Sequence, residues 1–203
     1  MKSISKNSLD LLLKHEVGGG QKYYEKYLSS FTWPGGASGP TIGIGIDCAY
    51  YSKEELAEMF NYLDEDHLKL VINASGKTGE SGRVYTRKLR AAGIRMSWEK
   101  AVEIFEEKTW IKFSKLAEKI YPDLKYLCED AYGAIVSIVF NRGASLSGAS
   151  RLEMKNLINL ISSKNYNGIA AEIRKMKRLW VGKNMDGLLK RREDEASLVE
   201  SCS

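Results

Sequence analysis

Proline, histidine and cysteine are all scarce in this sequence, and each scarcity closes off a possibility. Three prolines and no Ser/Pro-rich run leave no flexible linker in 203 residues, so a single domain over 1–203 is expected. His15 and His67 are the only histidines, too little material for a His-based metal centre or a Ser-His-Asp triad. His67, within Asp64-Glu65-Asp66-His67, reads as a solvated helix residue, and no metal or cofactor is expected. Cys48, Cys128 and Cys202 form an odd set without CxxC spacing, which leaves at least one unpaired or intermolecular. Such a set suits folding in a reducing cytoplasm better than a disulfide-stapled secreted domain, with Cys128 as a buried structural thiol.

Long apolar runs are missing as well. Leu11-Leu12-Leu13 is flanked by Asp10 and Lys14, which does not make a signal peptide. Synthesis in the cytoplasm is expected, with membrane opening or a secretion apparatus needed to reach a target outside. The most apolar stretch, Ala131 to Phe140, is half the roughly 20 residues of a bilayer span and reads as a helix buried all round. Nucleotide motifs are incomplete. Gly76-Lys77-Thr78-Gly79 has Val71 where a phosphate loop needs glycine, and Gly43-Ile44-Gly45 is followed by Cys48 where a dinucleotide fingerprint needs its third glycine. No internal repeat is visible.

What is present agrees with a single compact enzyme. Hydrophobic residues make up 43% of the chain, enough for a full core, and 31 basic against 26 acidic residues give a net charge of +5. That excess favours approach to an anionic polymer, whether an envelope bearing teichoic acid or lipopolysaccharide or a nucleic acid. The charges are interspersed except at Arg174-Lys175-Met176-Lys177-Arg178 and Lys190-Arg191-Arg192, so nucleic acid is not the expected partner.

The chemistry concentrates in the first fifty residues. Leu9, Leu12 and Leu13 recur at helical spacing and Glu16 continues that stripe, which would desolvate its carboxyl and favour the protonated form a general acid needs. After Gly18-Gly19-Gly20, the aromatics Tyr23, Tyr24, Tyr27, Phe31 and Trp33 with Pro34-Gly35-Gly36 read as an irregular β-hairpin lobe. Thr41-Ile42-Gly43-Ile44-Gly45-Ile46-Asp47 alternates as a strand, with the isoleucines on one face and Thr41, Gly43, Gly45 and Asp47 on the other. On that second face the two glycines would let a sugar approach the backbone between a hydroxyl and a carboxylate. Tyr23, Tyr24 and Trp33 could offer apolar faces to sugar rings.

The rest is mainly helical. Ser52 with Glu55 forms a capping box, and Ser97 caps a helix carrying Trp98, Val102, Phe105, Leu116 and Ile120 that Pro122 closes. Met154, Leu157, Ile158 and Ile161 form one apolar stripe, and Ile169, Ile173, Met176 and Trp180 another.

A helix ending in an acid, an aromatic and glycine-rich hairpin, and the TIGIG segment together resemble the phage-type lysozymes, with the Thr41 to Asp47 layout most similar to the pesticin-like branch. Asp130 to Gly143 is similar to the buried helix and polar-glycine stop of those enzymes, and Gly187-Leu188-Leu189-Lys190-Arg191-Arg192 resembles their C-terminal GL-x-x-RR helix. The chain departs from the common pattern at Ile46, where many members carry His or Tyr, and in a longer Glu16 to Thr41 interval.

The resemblance implies an α+β lysozyme-like fold: a β lobe over about 18–51, a helical lobe over about 52–203, and a cleft between them. It implies a muramidase with Glu16 as acid, Thr41 positioning water, and a second carboxylate. Asp47, six residues beyond Thr41, is favoured for that place; Glu25, the only carboxylate between Glu16 and Thr41, is the alternative. Substrate contacts would come from Tyr24, Trp33, Gly43 and Gly45, and Arg191 or Arg192 would hold the Glu16 carboxyl. The expected partners are peptidoglycan glycan strands, a holin or secretion system for delivery, and an immunity protein, with the enzyme itself a monomer. A lytic transglycosylase, needing no water-activating partner, and an inactive peptidoglycan-binding module are the rival readings.

Overall fold

The computed structural model describes residues 2–202, and the chain divides into two compact units: Glu16–Lys108, and the N-terminal segment through His15 together with Thr109 onward. Helix α1 (Lys6–Glu16) opens the chain and ends where the first unit begins. In that unit follow α2 (Gly20–Tyr27), the short strands β1 (Thr41–Ile42) and β2 (Ile46–Asp47), a 3-10 turn at Cys48–Tyr50, then α3 (Lys53–Met59), α4 (Glu65–Ile72), α5 (Gly79–Ala91) and α6 (Trp98–Ile104). The expected lobe boundary near residue 51 falls inside this unit, between the 3-10 turn and α3.

Local sequence signals account for several of these starts. Ser52 accepts from the Glu55 amide at 3.2 Å while Glu55 accepts from the Ser52 amide at 2.7 Å, completing the capping box of α3. Asp64 caps α4, and its second oxygen lies 2.6 Å from His67 Nδ1, so this histidine serves its own helix terminus. Ser97 caps α6. The expected long helix from Trp98 to Ile120 is interrupted by a π-helical segment at Phe105–Trp110, where the chain passes between the units, and resumes as α7 (Ile111–Ile120).

The region after Gly18 is not the expected hairpin. It forms α2, because pairs one turn apart support a helix: Gln21 donates to Glu25 at 2.9 Å and the Tyr23 and Tyr27 rings lie 4.7 Å apart. Strand propensity of the aromatics gives way to these contacts and to the burial of Tyr24.

The second unit is organised around α8 (Glu129–Arg142), packed by α7 and by α11 (Asp186–Glu200), with α9 (Leu152–Ser162) and α10 (Tyr166–Lys175) completing the layer. Every residue from Ala131 to Val139 is buried, as the composition of that stretch predicts, and Gly143 stops the helix at φ 76°. Met154, Leu157 and Ile161 of α9 and Ile169 and Ile173 of α10 are buried. No described helix is long and apolar enough to cross a membrane.

One cysteine expectation is overturned. Cys128 is not a free thiol but is bonded to Cys202, linking the start of α8 to the second residue beyond α11 across a sequence separation of 74. Spacing alone could not reveal the pair, since it depends on two helix ends meeting. Cys48 is the free, buried thiol; burial first, and the neighbouring Asp47 second, push its pKa far above the ordinary thiol range.

Candidate active site

Glu16 is the last residue of α1 and is half-buried. The helix is rotated from the expected stripe: Ser8, Leu11 and Leu12 are buried, whereas Leu9, Leu13 and Glu16 lie at the margin. The cause is a close approach of α1 to α8. A Cβ at Gly133 would stand 1.8 Å from Ser8 Oγ, so glycine there lets the small Ser8 face turn inward. Asp130 fixes the start of α1, accepting from Ser5 Oγ at 2.6 Å and from Asn7 Nδ2 at 2.8 Å.

The TIGIG segment is itself a hairpin rather than one strand. Thr41 pairs with Asp47 and Ile42 with Ile46, while Gly43 and Gly45 turn the chain with φ of 67° and 75°. These glycines are required by the turn, and a Cβ on Gly43 would lie 2.9 Å from Met96 Sδ. The three isoleucines are all buried, holding the hairpin to its unit. On the outer side of β1, Thr41 exchanges backbone bonds with Thr32 at 2.8 and 2.7 Å.

Thr41 and Asp47 therefore lie opposite each other by register, and both hold Gly39. The Thr41 hydroxyl donates to the Gly39 carbonyl at 3.2 Å. Both Asp47 carboxylate oxygens accept from the Gly39 amide at 3.1 Å, and Oδ1 also accepts from the Ala49 amide at 3.1 Å, capping the 3-10 turn. Both side chains are partly exposed. Gly39 was not singled out from sequence, yet a Cβ there would meet Ala49 Cβ at 2.4 Å and the Lys77 carbonyl at 2.5 Å. Its position between Ser38 and Pro40 signals a turn, but not this crowding.

Other candidates have different surroundings. Glu25 lies on the exposed side of α2, bonded to Gln21. Tyr24 is 0% exposed, donates its hydroxyl to the Met96 carbonyl at 3.0 Å and meets Trp98 edge-on, so its ring is core packing and has no free face for a sugar. The exposed aromatics of α2 are Tyr23 and Tyr27. Trp33 is half-buried and donates to the Ser38 carbonyl at 2.9 Å, bracing the loop before β1.

Arg191 and Arg192 are not surface charges. Both are buried in α11 with Glu195, which takes Arg192 Nη2 at 2.7 Å, Arg191 Nε at 3.2 Å and the hydroxyl of Ser137 at 2.6 Å. Glu195 follows the two arginines by three and four residues, a helical spacing visible in the sequence. Burial chiefly lowers the Arg192 pKa, and Glu195 opposes that shift. Among the described residues no group of His, Cys, Asp and Glu is arranged to hold a metal ion.

The family described as Phage lysozyme matches residues 61–195, about two thirds of the chain. The chain belongs to the phage lysozyme family. Membership makes it a peptidoglycan-directed enzyme of the glycosidase type, and its mostly helical structure with a two-stranded antiparallel sheet is the lysozyme-like α+β arrangement. The matched stretch includes α8 and both arginines of α11, whereas Glu16, Thr41 and Asp47 precede it. No curated protein matches the chain.

Proposed function

We propose that this enzyme hydrolyses the β-1,4 bond between N-acetylmuramic acid and N-acetylglucosamine, with Glu16 as the general acid and Thr41 and Asp47 as the pair that orients and activates water. The supporting observation is the register of the hairpin, which sets the hydroxyl of Thr41 and the carboxylate of Asp47 opposite each other over Gly39. Glycoside cleavage needs a proton delivered to the leaving oxygen and a carboxylate that activates water or stabilises positive charge at the anomeric carbon. Glu16 is the acid at the end of α1, and Asp47 is held in a fixed orientation by two backbone amides, which leaves acceptor capacity for a water.

Asp47 is preferred to Glu25 because it pairs with the threonine, whereas Glu25 is committed to a surface contact with Gln21. A water activated by Asp47 predicts inversion at the anomeric carbon. Digestion of purified peptidoglycan tests this reading. Reducing-end muramic acid formed with inverted configuration supports hydrolysis through Asp47; anhydro-muramic ends would identify a lytic transglycosylase, and no turnover a binding module. Lysis after a membrane breach is the setting this activity implies, with delivery by a holin or a secretion system.

A further inference from the structure

Asp194 of α11 gathers side chains from the last turn of α1. His15 Nε2 lies 3.0 Å and Lys14 Nζ 2.7 Å from its Oδ2, and Lys190 Nζ lies 3.3 Å from Oδ1. The His15 and Asp194 side chains are only 10% and 18% exposed, whereas Lys14 is 52% exposed. Exposed lysine contacts contribute little to a fixed geometry. The sheltered imidazole is the directional contact, and it immediately precedes Glu16.

We infer that His15 and Asp194 are a positioning pair for Glu16: their hydrogen bond fixes the final turn of α1 on α11, and thereby holds the helix end from which the Glu16 carboxyl projects. The inference rests on the assignment of Glu16 as the acid. Proton transfer is sensitive to small displacements, so an anchor one residue away acts on turnover more than on binding.

The pair is also sensitive to pH. His15 is held below its ordinary pKa of 6.5, first by burial and then by Arg191, with Lys14 adding to them and Asp194 opposing. Burial pulls the Asp194 pKa upward, but Lys14 and Lys190 outweigh it and keep the carboxyl below the usual range. At neutral pH a neutral imidazole therefore donates from Nε2 to an ionised Asp194. Acidification adds a cation to a sheltered ring where burial, Arg191 and Lys14 already oppose positive charge, which weakens the anchor. Because the folded-state pKa is depressed, the unfolded chain takes up the proton first; stability is full above about 6.5 and is lost as pH falls toward the lower folded-state value.

The test is a kcat and KM comparison on soluble uncrosslinked peptidoglycan chains between pH 4.5 and 8, with His15 followed by NMR titration. His15→Leu is expected to lower kcat at least tenfold at pH 7.5 with KM within about twofold, while His15→Gln, which retains a donor, recovers most of kcat and loses the acid limb that coincides with the His15 titration. A folded His15→Leu with parental kcat and pH profile overturns the inference. If His15→Leu does not fold, the wild type decides: an acid limb that does not follow the His15 titration overturns the proposal, and one that does supports it. Failure of the underlying assignment shows separately, as activity retained in Glu16→Gln.

Discussion

Thr41 and Asp47 are cross-strand partners, and each binds the backbone of Gly39, one through its carbonyl and the other through its amide. A hydroxyl and a carboxylate held from a single residue form a rigid pair, because displacing either disturbs the loop that carries the other. This coupling separates a catalytic role from a structural one only if stability and turnover are measured together.

Glu16→Gln should abolish lysis while the fold persists. The amide keeps the shape of the side chain but cannot donate a proton to the leaving oxygen, and general acid catalysis contributes about 10²- to 10⁴-fold. Turbidity clearance of purified peptidoglycan beside a circular dichroism melt checks both halves, and clearance by a folded variant contradicts the assignment.

Asp47→Asn and Glu25→Gln, assayed on the same substrate, should differ by orders of magnitude. The Asn variant retains one carbonyl oxygen for Gly39 or Ala49 but loses the carboxylate, so about 1–2 kcal/mol of stability is at stake beside a large loss of rate. Glu25→Gln, exposed on α2, should stay within about twofold of the parent. The reverse ranking would move the second carboxylate to Glu25.

Thr41→Ala removes one hydroxyl bond, to the Gly39 carbonyl, while the backbone exchange with Thr32 is untouched. Stability should fall by no more than about 1 kcal/mol. Turnover should fall much further, and a variant that unfolds without a specific kinetic defect would make Thr41 a structural strand residue.

Reduction should lower the melting temperature through Cys128–Cys202 alone. Closing a separation of 74 residues constrains the unfolded chain by about 4 kcal/mol in the chain-entropy treatment. Cys202→Ser should melt at the temperature of the reduced parent and lose its sensitivity to dithiothreitol. Cys48→Ala should keep that sensitivity, since its thiol is buried and unpaired.

Glu195→Gln should cost about 3–5 kcal/mol, because it leaves Arg191 and Arg192 buried around a neutral amide. Arg192 Nε also lies 2.7 Å from Glu195 Oε2, a charge contact without hydrogen-bond alignment, so most of the directional bonding passes through Oε1. Urea unfolding would measure the loss; a variant as stable as the parent would show that the arginines find other compensation.

The sequence by itself determined the features governed by local periodicity and capping. The apolar run Ala131 to Phe140 reads as a core helix, and Ser52 with Glu55 marks the start of one. The placement of a threonine and an aspartate on one small β element was also legible, although by the wrong route: alternation along a strand suggested what hairpin register supplies.

Tertiary structure decided the rest, because the deciding contacts lie far apart in sequence or turn on space rather than residue type. The rotation of α1 is set by Ser8 against Gly133, and burial of Tyr24 under Met96 and Trp98 helps make a helix of residues that favour strands. The pairing of Cys128 with Cys202 needed two helix ends to meet. Gly43 and Gly45 are alike in sequence whether they lie in a strand or a turn, and only the packing of Ile42, Ile44 and Ile46 into one core selects the turn.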